Sequence, residues 1–151
     1  MVHPLMRQSP SQSSGGGSAS PADTDPDQVS SKIIEMLSRL HVLVIGPGLG
    51  RDPLMQKTCA KVLAAAREQK MPVVLDADAL AIVSSNPDLF MGWEEVVLTP
   101  NVVEFGRLWK GLKVEGTEEP RDGEKPTAQV EALSKALGGV TIVQKGGKDM
   151  I

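Results

Sequence analysis

Glycine occupies every second position of residues 46–50, directly after the apolar segment 42–45 and before Asp52 and Pro53. Glycine lets the backbone approach another group closely, and a helix that begins after such a loop presents free N–H groups to an anion. The segment therefore suits a phosphate-bearing ligand, although its spacing is neither the dinucleotide fingerprint G-x-G-x-x-G nor a Walker loop. A sharp strand-to-helix turn, with Asp52 as N-cap and Pro53 at the first helical position, explains the same residues.

Asp76 and Asp78 directly follow a second apolar segment, residues 72–75. Two carboxylates separated by one residue could hold a hydrated Mg²⁺ ion or orient a hydroxyl group. The alternative is structural: Asp78 would cap a helix that begins at Ala79, and Asp76 would accept hydrogen bonds from neighbouring backbone N–H groups. We favour the cap for Asp78 and leave both interpretations of Asp76 open.

Two more polar segments follow apolar runs further along the chain. Asn101 and Glu104 have the spacing of a capping box, and together with Arg107 they could also face a polar or anionic ligand. The KGGKD segment, residues 145–149, suits a hairpin turn, while Lys145 beside backbone N–H groups would equally suit phosphate oxygens. Residue spacing alone does not decide between the structural and the ligand-binding interpretation of these segments.

Apolar segments that alternate with helical patterns must position these polar residues. We predict strands at residues 41–45, 72–75, 95–98 and 140–144, and helices at residues 29–40, 53–69, 79–84, 101–109 and 127–137, the last capped by Thr127. The uninterrupted apolar run at 42–45 predicts a strand covered on both faces. This alternation is typical of an α/β fold with a mainly parallel sheet, in which ligands bind beyond the carboxyl ends of the strands. All four polar segments are therefore predicted to line one edge of the sheet.

Composition limits the class of protein. The 151 residues carry a formal net charge of -3, which argues against nucleic acid or an anionic membrane surface as the main partner. No apolar run approaches the ~20 residues of a membrane span, and the N-terminus shows no signal-peptide pattern. The single cysteine, Cys59, is predicted to be a small core residue, and the histidines show no metal-ligand spacing. We expect a protein of a reducing compartment, the cytoplasm, and a mitochondrial form is compatible with the sequence.

The chain divides unevenly along its length. Residues 8–28 contain only Ala19 and Ala22 as apolar residues among Ser, Gly, Pro and Asp, so they are predicted to be a disordered insertion. Residues 1–7 would be the end of an upstream unit, and residues 29–151 would form a partial domain. Within that domain, residues 116–126 are predicted to form a charged surface loop.

Four segments in this order resemble one known family. VIGPGLGRD, VVLDADAL, VVLTPNVVEFGRL and VTIVQKGGKD resemble the ATP-dependent NAD(P)H-hydrate dehydratases of the ribokinase-like superfamily, and the resemblance extends from residue 41 to residue 151. It implies a three-layer fold, with a mainly parallel central sheet flanked by helices. It also implies a lyase that repairs the S epimer of hydrated NADH or NADPH, using ATP as co-substrate together with Mg²⁺ and releasing ADP and phosphate.

The resemblance assigns site residues segment by segment. It places the NAD(P)H hydrate on Gly48, Gly50, Asn101, Val102, Val103, Glu104, Phe105, Gly106 and Arg107. It places ATP on Lys145, Gly146, Gly147, Lys148 and Asp149. Asp78 would lie near the reacting phosphate as a metal ligand. Expected partners are thus the two substrates, without nucleic acid or membrane, and the family is compatible with a homo-oligomer.

The sequence also departs from the family pattern. The family's Gly-rich G-x-G-D loop, whose aspartate is the catalytic base, does not occur in these 151 residues, so no catalytic residue is assigned. We expect the chain to be a fragment that lacks both flanks of the domain and is inactive by itself. The alternatives are a small-hydroxyl kinase of the same superfamily, whose product would keep the phosphate, and an inert nucleotide-binding fragment.

Overall fold

A computed structural model describes residues 5–9, 25–114 and 126–151. The helices are α1 (Pro26–Leu37), α2 (Pro53–Glu68), α3 (Leu80–Ser85), α4 (Val102–Leu112) and α5 (Pro126–Ala136). The strands are β1 (Leu43–Ile45), β2 (Val73–Leu75), β3 (Val96–Leu98) and β4 (Thr141–Ile142). Two short 3₁₀ turns, Ala77–Ala79 and Pro87–Leu89, lie on either side of α3.

The four strands form one sheet in the order β1-β2-β3-β4, and every neighbouring pair is parallel. At least one helix lies between each pair of consecutive strands, as a parallel connection requires. The predicted α/β fold with a parallel sheet flanked by helices is confirmed. Because all strands point the same way, their carboxyl ends meet at a single edge, which we call the carboxyl edge of the sheet.

Local sequence signals set the helix starts. The Asp52 carboxylate accepts hydrogen bonds from the backbone N–H groups of Leu54 and Met55 (3.0 and 3.1 Å), and Pro53 opens α2, so this predicted cap is confirmed. Asn101 and Glu104 form the predicted capping box at α4.

Two other predicted helix starts are wrong. Helix α1 begins at Pro26, inside the predicted disordered insertion, because the Asp25 carboxylate caps it and Pro26 suits the first helical position. Helix α5 begins at Pro126, so Thr127 lies within its first turn and is not the cap. Residues 10–24 of the predicted insertion and residues 115–125 of the predicted surface loop lie outside the described residues.

The core is built from the apolar faces of the helices against the sheet. Buried residues recur along α2 at helical spacing. The largest fully buried side chains include Trp93, Phe90, Phe105, Leu37, Leu63 and Leu75. Cys59 is buried in this core, as predicted, and burial raises the pKa of its thiol to about 11.

One face of β1 is open to solvent. Val44 is 64% exposed, and the register pairs it with Val74 and through it with Val97, both only half-buried. The prediction that the 42–45 strand is covered on both faces is therefore wrong for the described residues, because nothing among them covers the side of β1 that carries Val44. Among the described residues, none of the helices has the length and apolar character needed to cross a bilayer.

Candidate functional site

The four polar segments meet at the carboxyl edge of the sheet, as the sequence predicts. The glycine segment 46–50 follows β1, the turn 76–78 follows β2, residues 99–107 follow β3, and residues 145–149 come shortly after β4. A backbone bridge between Asn101 and Lys145 extends the parallel pairing beyond the ends of the last two strands. Hydrogen bonds and close backbone contacts join these segments to one another.

The glycine segment lies against the turn that follows β2. A Cβ atom at Gly46 would lie 2.2 Å from the carbonyl oxygen of Asp76, so only glycine permits this approach. Gly48 and Gly50 have φ of 79° and 69°, values that side chains disfavour. Because Asp52 already occupies N–H groups of the following helix, the helix N-terminus is only partly available to an anion.

The Asp78 carboxylate fastens the glycine segment to the turn. Its Oδ2 atom accepts a hydrogen bond of 2.9 Å from the backbone N–H of Gly50. The helical turn begins at Ala77, so Asp78 lies inside it, and the prediction that Asp78 caps a helix from Ala79 is wrong. The local cap does not form because the Asp78 carboxylate bonds to Gly50, a residue 28 positions earlier in the chain.

Asp76 and Lys145 form an ion pair across the carboxyl edge. Nζ of Lys145 lies 2.5 Å from Oδ1 of Asp76, and the two side chains are 42% and 28% exposed. Burial acts to raise the pKa of the Asp76 carboxyl, but the hydrogen bond and charge of Lys145, together with hydrogen bonds from the Ala77 backbone and the Thr99 side chain, hold that pKa below its ordinary value. The Asp76 carboxyl is therefore ionised at neutral pH.

Residues 145–149 form the loop of a hairpin, as one interpretation of the sequence predicted. Gln144 and Met150 pair in antiparallel fashion around it, with both backbone hydrogen bonds present (2.8 and 3.0 Å). The Asp149 carboxylate accepts a hydrogen bond from the N–H of Gly146 (3.1 Å) and closes the loop. The backbone N–H of Lys145 donates to the Pro100 carbonyl (2.8 Å), which fixes the loop beside the residues that follow β3.

Helices α3 and α4 enclose a polar cleft of about 300 Å³ beside the turn 76–78. Its polar side chains are those of Arg51, Asp78, Ser84, Ser85, Glu104 and Arg107. Within the part of the chain that the structure describes, neither arginine has an ion-pair or hydrogen-bond partner. By contrast, Asp78 and Glu104 each accept a hydrogen bond from a backbone N–H group. The cleft thus combines two carboxylates with two guanidinium groups whose N–H donors are available to an anionic ligand.

The structure separates the predicted hydrate-binding residues into distinct environments. Glu104 and Arg107 line the polar cleft, and Gly50 is bonded to Asp78 at its side. Gly48 lies elsewhere, in an apolar pocket of about 380 Å³ between β1, α1 and α2. Phe105 does not face either space, because its side chain is fully buried and its ring packs against Trp109. Val102 and Val103 are exposed.

Arg51, Ser84 and Ser85 line the polar cleft but are not among the site residues predicted from the sequence. Two signals could have identified them. Arg51 directly follows the glycine segment, and Ser84 and Ser85 end the short helix α3 that follows the turn at Asp78. Across the three described stretches of chain, no group of three or more His, Cys, Asp or Glu side chains comes together in a way that could hold a metal ion.

Comparisons with known proteins identify relatives over nearly the whole chain. A sequence profile of the NAD(P)H-hydrate dehydratase family matches residues 12–151. A protein of Neurospora crassa named ATP-dependent (S)-NAD(P)H-hydrate dehydratase is 61% identical, with 100% of this chain covering 45% of that protein. A rat protein of the same name is 42% identical over 84% of this chain and 36% of its own length. The chain thus spans less than half the length of these curated relatives.

A solved structure agrees with these sequence matches. The crystal structure of a ribokinase-like superfamily protein from Enterococcus faecalis superposes with a TM-score of 0.59 at 25% identity. The match covers 81% of this chain and 39% of that chain. The resemblance to the ribokinase-like fold noted in the sequence is confirmed.

Proposed function

Because the chain belongs to the NAD(P)H-hydrate dehydratase family, we propose that the whole protein dehydrates the S epimer of hydrated NADH and NADPH at the expense of ATP. In this damaged cofactor, water has added across a double bond of the nicotinamide ring. Hydroxide is a poor leaving group, so the γ-phosphoryl group of ATP is first transferred to the ring hydroxyl. Phosphate then leaves with the C–O bond electrons, a proton is lost from the neighbouring carbon, and the reduced cofactor, ADP and phosphate remain.

The observation that carries this proposal is the convergence of all four family segments at one edge of a parallel sheet, where they bond to one another. Asp78 bonds Gly50, and Asp76 bonds Lys145, so the segments after β1, β2 and β4 form one connected unit. Sheets of this kind bind ligands beyond the carboxyl ends of their strands. The arrangement therefore supports a two-substrate site.

We assign the polar cleft to the hydrate. The substrate carries a pyrophosphate, and NADPH hydrate carries a further phosphate, so unpaired guanidinium groups suit it. Arg51 and Arg107 both line the cleft, Arg51 from the segment before α2 and Arg107 from α4. The Asn101 amide, Gly50 and Gly106 would contribute polar contacts and backbone close to the same ligand.

We assign the hairpin loop to ATP. The Lys145 ammonium lies over the carboxyl edge with donors left for phosphate oxygens, and the two glycines keep the loop backbone accessible. Lys148 adds a second positive charge to the same loop. Asp149 acts through the loop, because its carboxylate holds the N–H of Gly146.

Asp78 is the residue that fits a Mg²⁺ ion best. Its Oδ2 atom is occupied by Gly50, but among the described residues Oδ1 accepts no hydrogen bond. Mg²⁺ at nucleotide sites is usually held by one or two carboxylates, with water and phosphate oxygens as further ligands. A single free carboxylate oxygen therefore suffices when ATP supplies the rest, and the ion would offset phosphate charge. Asp76 fits less well, since its Oδ1 atom holds an ammonium group.

The test is restoration of the reduced cofactor by the protein at the length of its curated relatives. The purified S epimer of NADH hydrate is incubated with ATP and Mg²⁺, and the absorbance of the reduced nicotinamide is followed together with released phosphate. We expect stoichiometric recovery that requires ATP, with the R epimer as an unreactive control. A product that keeps the phosphate would instead indicate a kinase. No consumption of ATP would contradict the proposal altogether.

A further inference from the structure

The turn at residues 76–78 contacts both the glycine segment and the hairpin loop. On one side, the Asp76 carbonyl packs against Gly46 and the Asp78 carboxylate bonds Gly50. On the other side, the Asp76 carboxylate holds the Lys145 ammonium. The contact with Lys145 does not follow from the sequence position of Asp76, because Lys145 lies 69 residues later in the chain.

The carboxylate of Asp76 projects from a fixed backbone. Its N–H donates to the Ile45 carbonyl at 3.0 Å, which continues the pairing of β1 with β2. The following residue, Ala77, has a φ of 48°, a conformation that a residue with a side chain adopts only when its surroundings impose it. The contact with Gly46 supplies that constraint from one side. Asp76 can therefore serve as a rigid anchor.

Lys145, in contrast, has a long side chain that needs an anchor. It comes shortly after β4, whereas Asp76 follows β2, so β3 and its continuation lie between the two residues. Two strand spacings amount to roughly 10 Å, and the two side chains must meet above the end of β3. A free lysine side chain would sample many rotamers, but the ion pair holds this one in a single direction. An ammonium group has three donors, and within the described residues only Asp76 uses one.

We propose that Asp76 is a positioning residue that holds the Lys145 ammonium over the carboxyl edge, ready for a phosphate oxygen of the nucleotide. This inference rests on the proposed function in so far as that function assigns the hairpin loop to ATP. A phosphate group would then bind the two remaining N–H donors of Lys145, and the side chain would already be in a suitable rotamer. In this role Asp76 would act on the nucleotide through Lys145.

A double-mutant cycle on nucleotide binding tests the proposal, with the protein at the length of its curated relatives. Asp76→Asn keeps the shape of the side chain but removes its charge, and it is expected to raise the calorimetric Kd for ATP by about twofold to fivefold. In a Lys145→Met background, the same substitution is expected to change Kd by less than about 1.5-fold. Glu94→Gln is the matched control, because it removes one carboxylate charge before β3, at the opposite edge of the sheet.

Steady-state kinetics provide a second measurement, because a purely structural role of Asp76 would not change KM for ATP selectively. Asp76→Asn should raise KM for ATP while leaving KM for the hydrate within about twofold, with the folded fraction monitored by circular dichroism. Should Asp76→Asn fail to fold, Asp76→Glu serves instead, since it keeps the charge, displaces the carboxylate by one methylene and is expected to raise Kd for ATP as well.

Three results would overturn the inference: unchanged ATP binding in Asp76→Asn, tighter ATP binding, or equal effects of Asp76→Asn with and without Lys145. Tighter binding would mean that Asp76 competes with phosphate for the lysine. Failure of the proposed function gives a different result. In that case wild-type protein would not restore the reduced cofactor, while the coupling between Asp76 and Lys145 in ATP binding would still be measurable without any hydrate.

Discussion

Gly46 lies so close to the turn after β2 that replacing it with alanine tests the packing of the whole site. The added Cβ would lie 2.2 Å from the Asp76 carbonyl oxygen, whereas ordinary contacts begin near 3.4 Å, so the two segments must separate by more than an ångström. The φ of Gly46 is not positive, so backbone conformation adds no cost of its own. Overpacking costs typically about 1–3 kcal/mol, and we expect about 3 kcal/mol here because a backbone carbonyl cannot rotate away.

Equilibrium urea unfolding of Gly46→Ala and wild-type protein measures this cost directly. Gly106→Ala is the matched control: no atom lies within 4 Å of its added Cβ, and in the middle of α4 alanine should stabilise the protein by up to about 1 kcal/mol. Opposite signs for the two glycine-to-alanine changes are therefore expected. If Gly46→Ala stayed within about 0.5 kcal/mol of wild type, the close approach of residues 46 and 76 would be refuted.

Two further predictions concern a helix cap and the buried thiol. Asn101→Ala should cost about 1 kcal/mol of unfolding free energy, because α4 loses its capping box, whereas Asn101→Ser keeps a capping oxygen and most of that stability. If Asn101→Ser then binds the hydrate with unchanged KM, Asn101 is only a cap and not a ligand contact. Burial raises the pKa of the Cys59 thiol from 9.0 to about 11. The thiol therefore stays protonated to a higher pH in the folded protein than in the unfolded chain. The resulting stability is fully present below pH 9 and decreases as the pH rises from 9 to 11, by on the order of 2 kcal/mol. Urea unfolding at these pH values should show a steeper loss for wild type than for Cys59→Ala, and equal slopes would contradict the raised pKa.

Much of the fold could be predicted because its signals are local. The ends of β1, β2 and β3 follow from apolar runs that stop at glycine, aspartate or threonine, and parallel pairing then brings those ends to one edge. The fourth strand is shorter than predicted, because β4 ends at Ile142 and not at residue 144. The caps at Asp52 and Asn101 follow from residues at most three positions apart. Such signals depend on the backbone geometry of a single helical turn, so the residue types at neighbouring positions are enough to predict them.

The contacts between segments could not be predicted in the same way. The bonds of Asp78 to Gly50 and of Asp76 to Lys145 join residues 28 and 69 positions apart, and local interpretations of both aspartates competed with them. Phe105 lies in a segment that the sequence resemblance predicts to bind the hydrate, yet helical spacing turns its ring into the core beside Trp109. The exposure of Val44 depends on what covers β1, which an apolar run does not reveal.

We propose that one sheet edge binds two substrates, with the hydrate beside Arg107 and ATP beside Lys145. Steady-state kinetics of Arg107→Ala and Lys145→Ala, in the protein at the length of its curated relatives, test it most directly. Loss of a hydrogen bond to a charged group should raise the corresponding KM about tenfold or more. We expect Arg107→Ala to raise KM for the hydrate and Lys145→Ala to raise KM for ATP, each leaving the other KM within about twofold. Equal effects of either substitution on both KM values would rule out separate hydrate and ATP positions at Arg107 and Lys145.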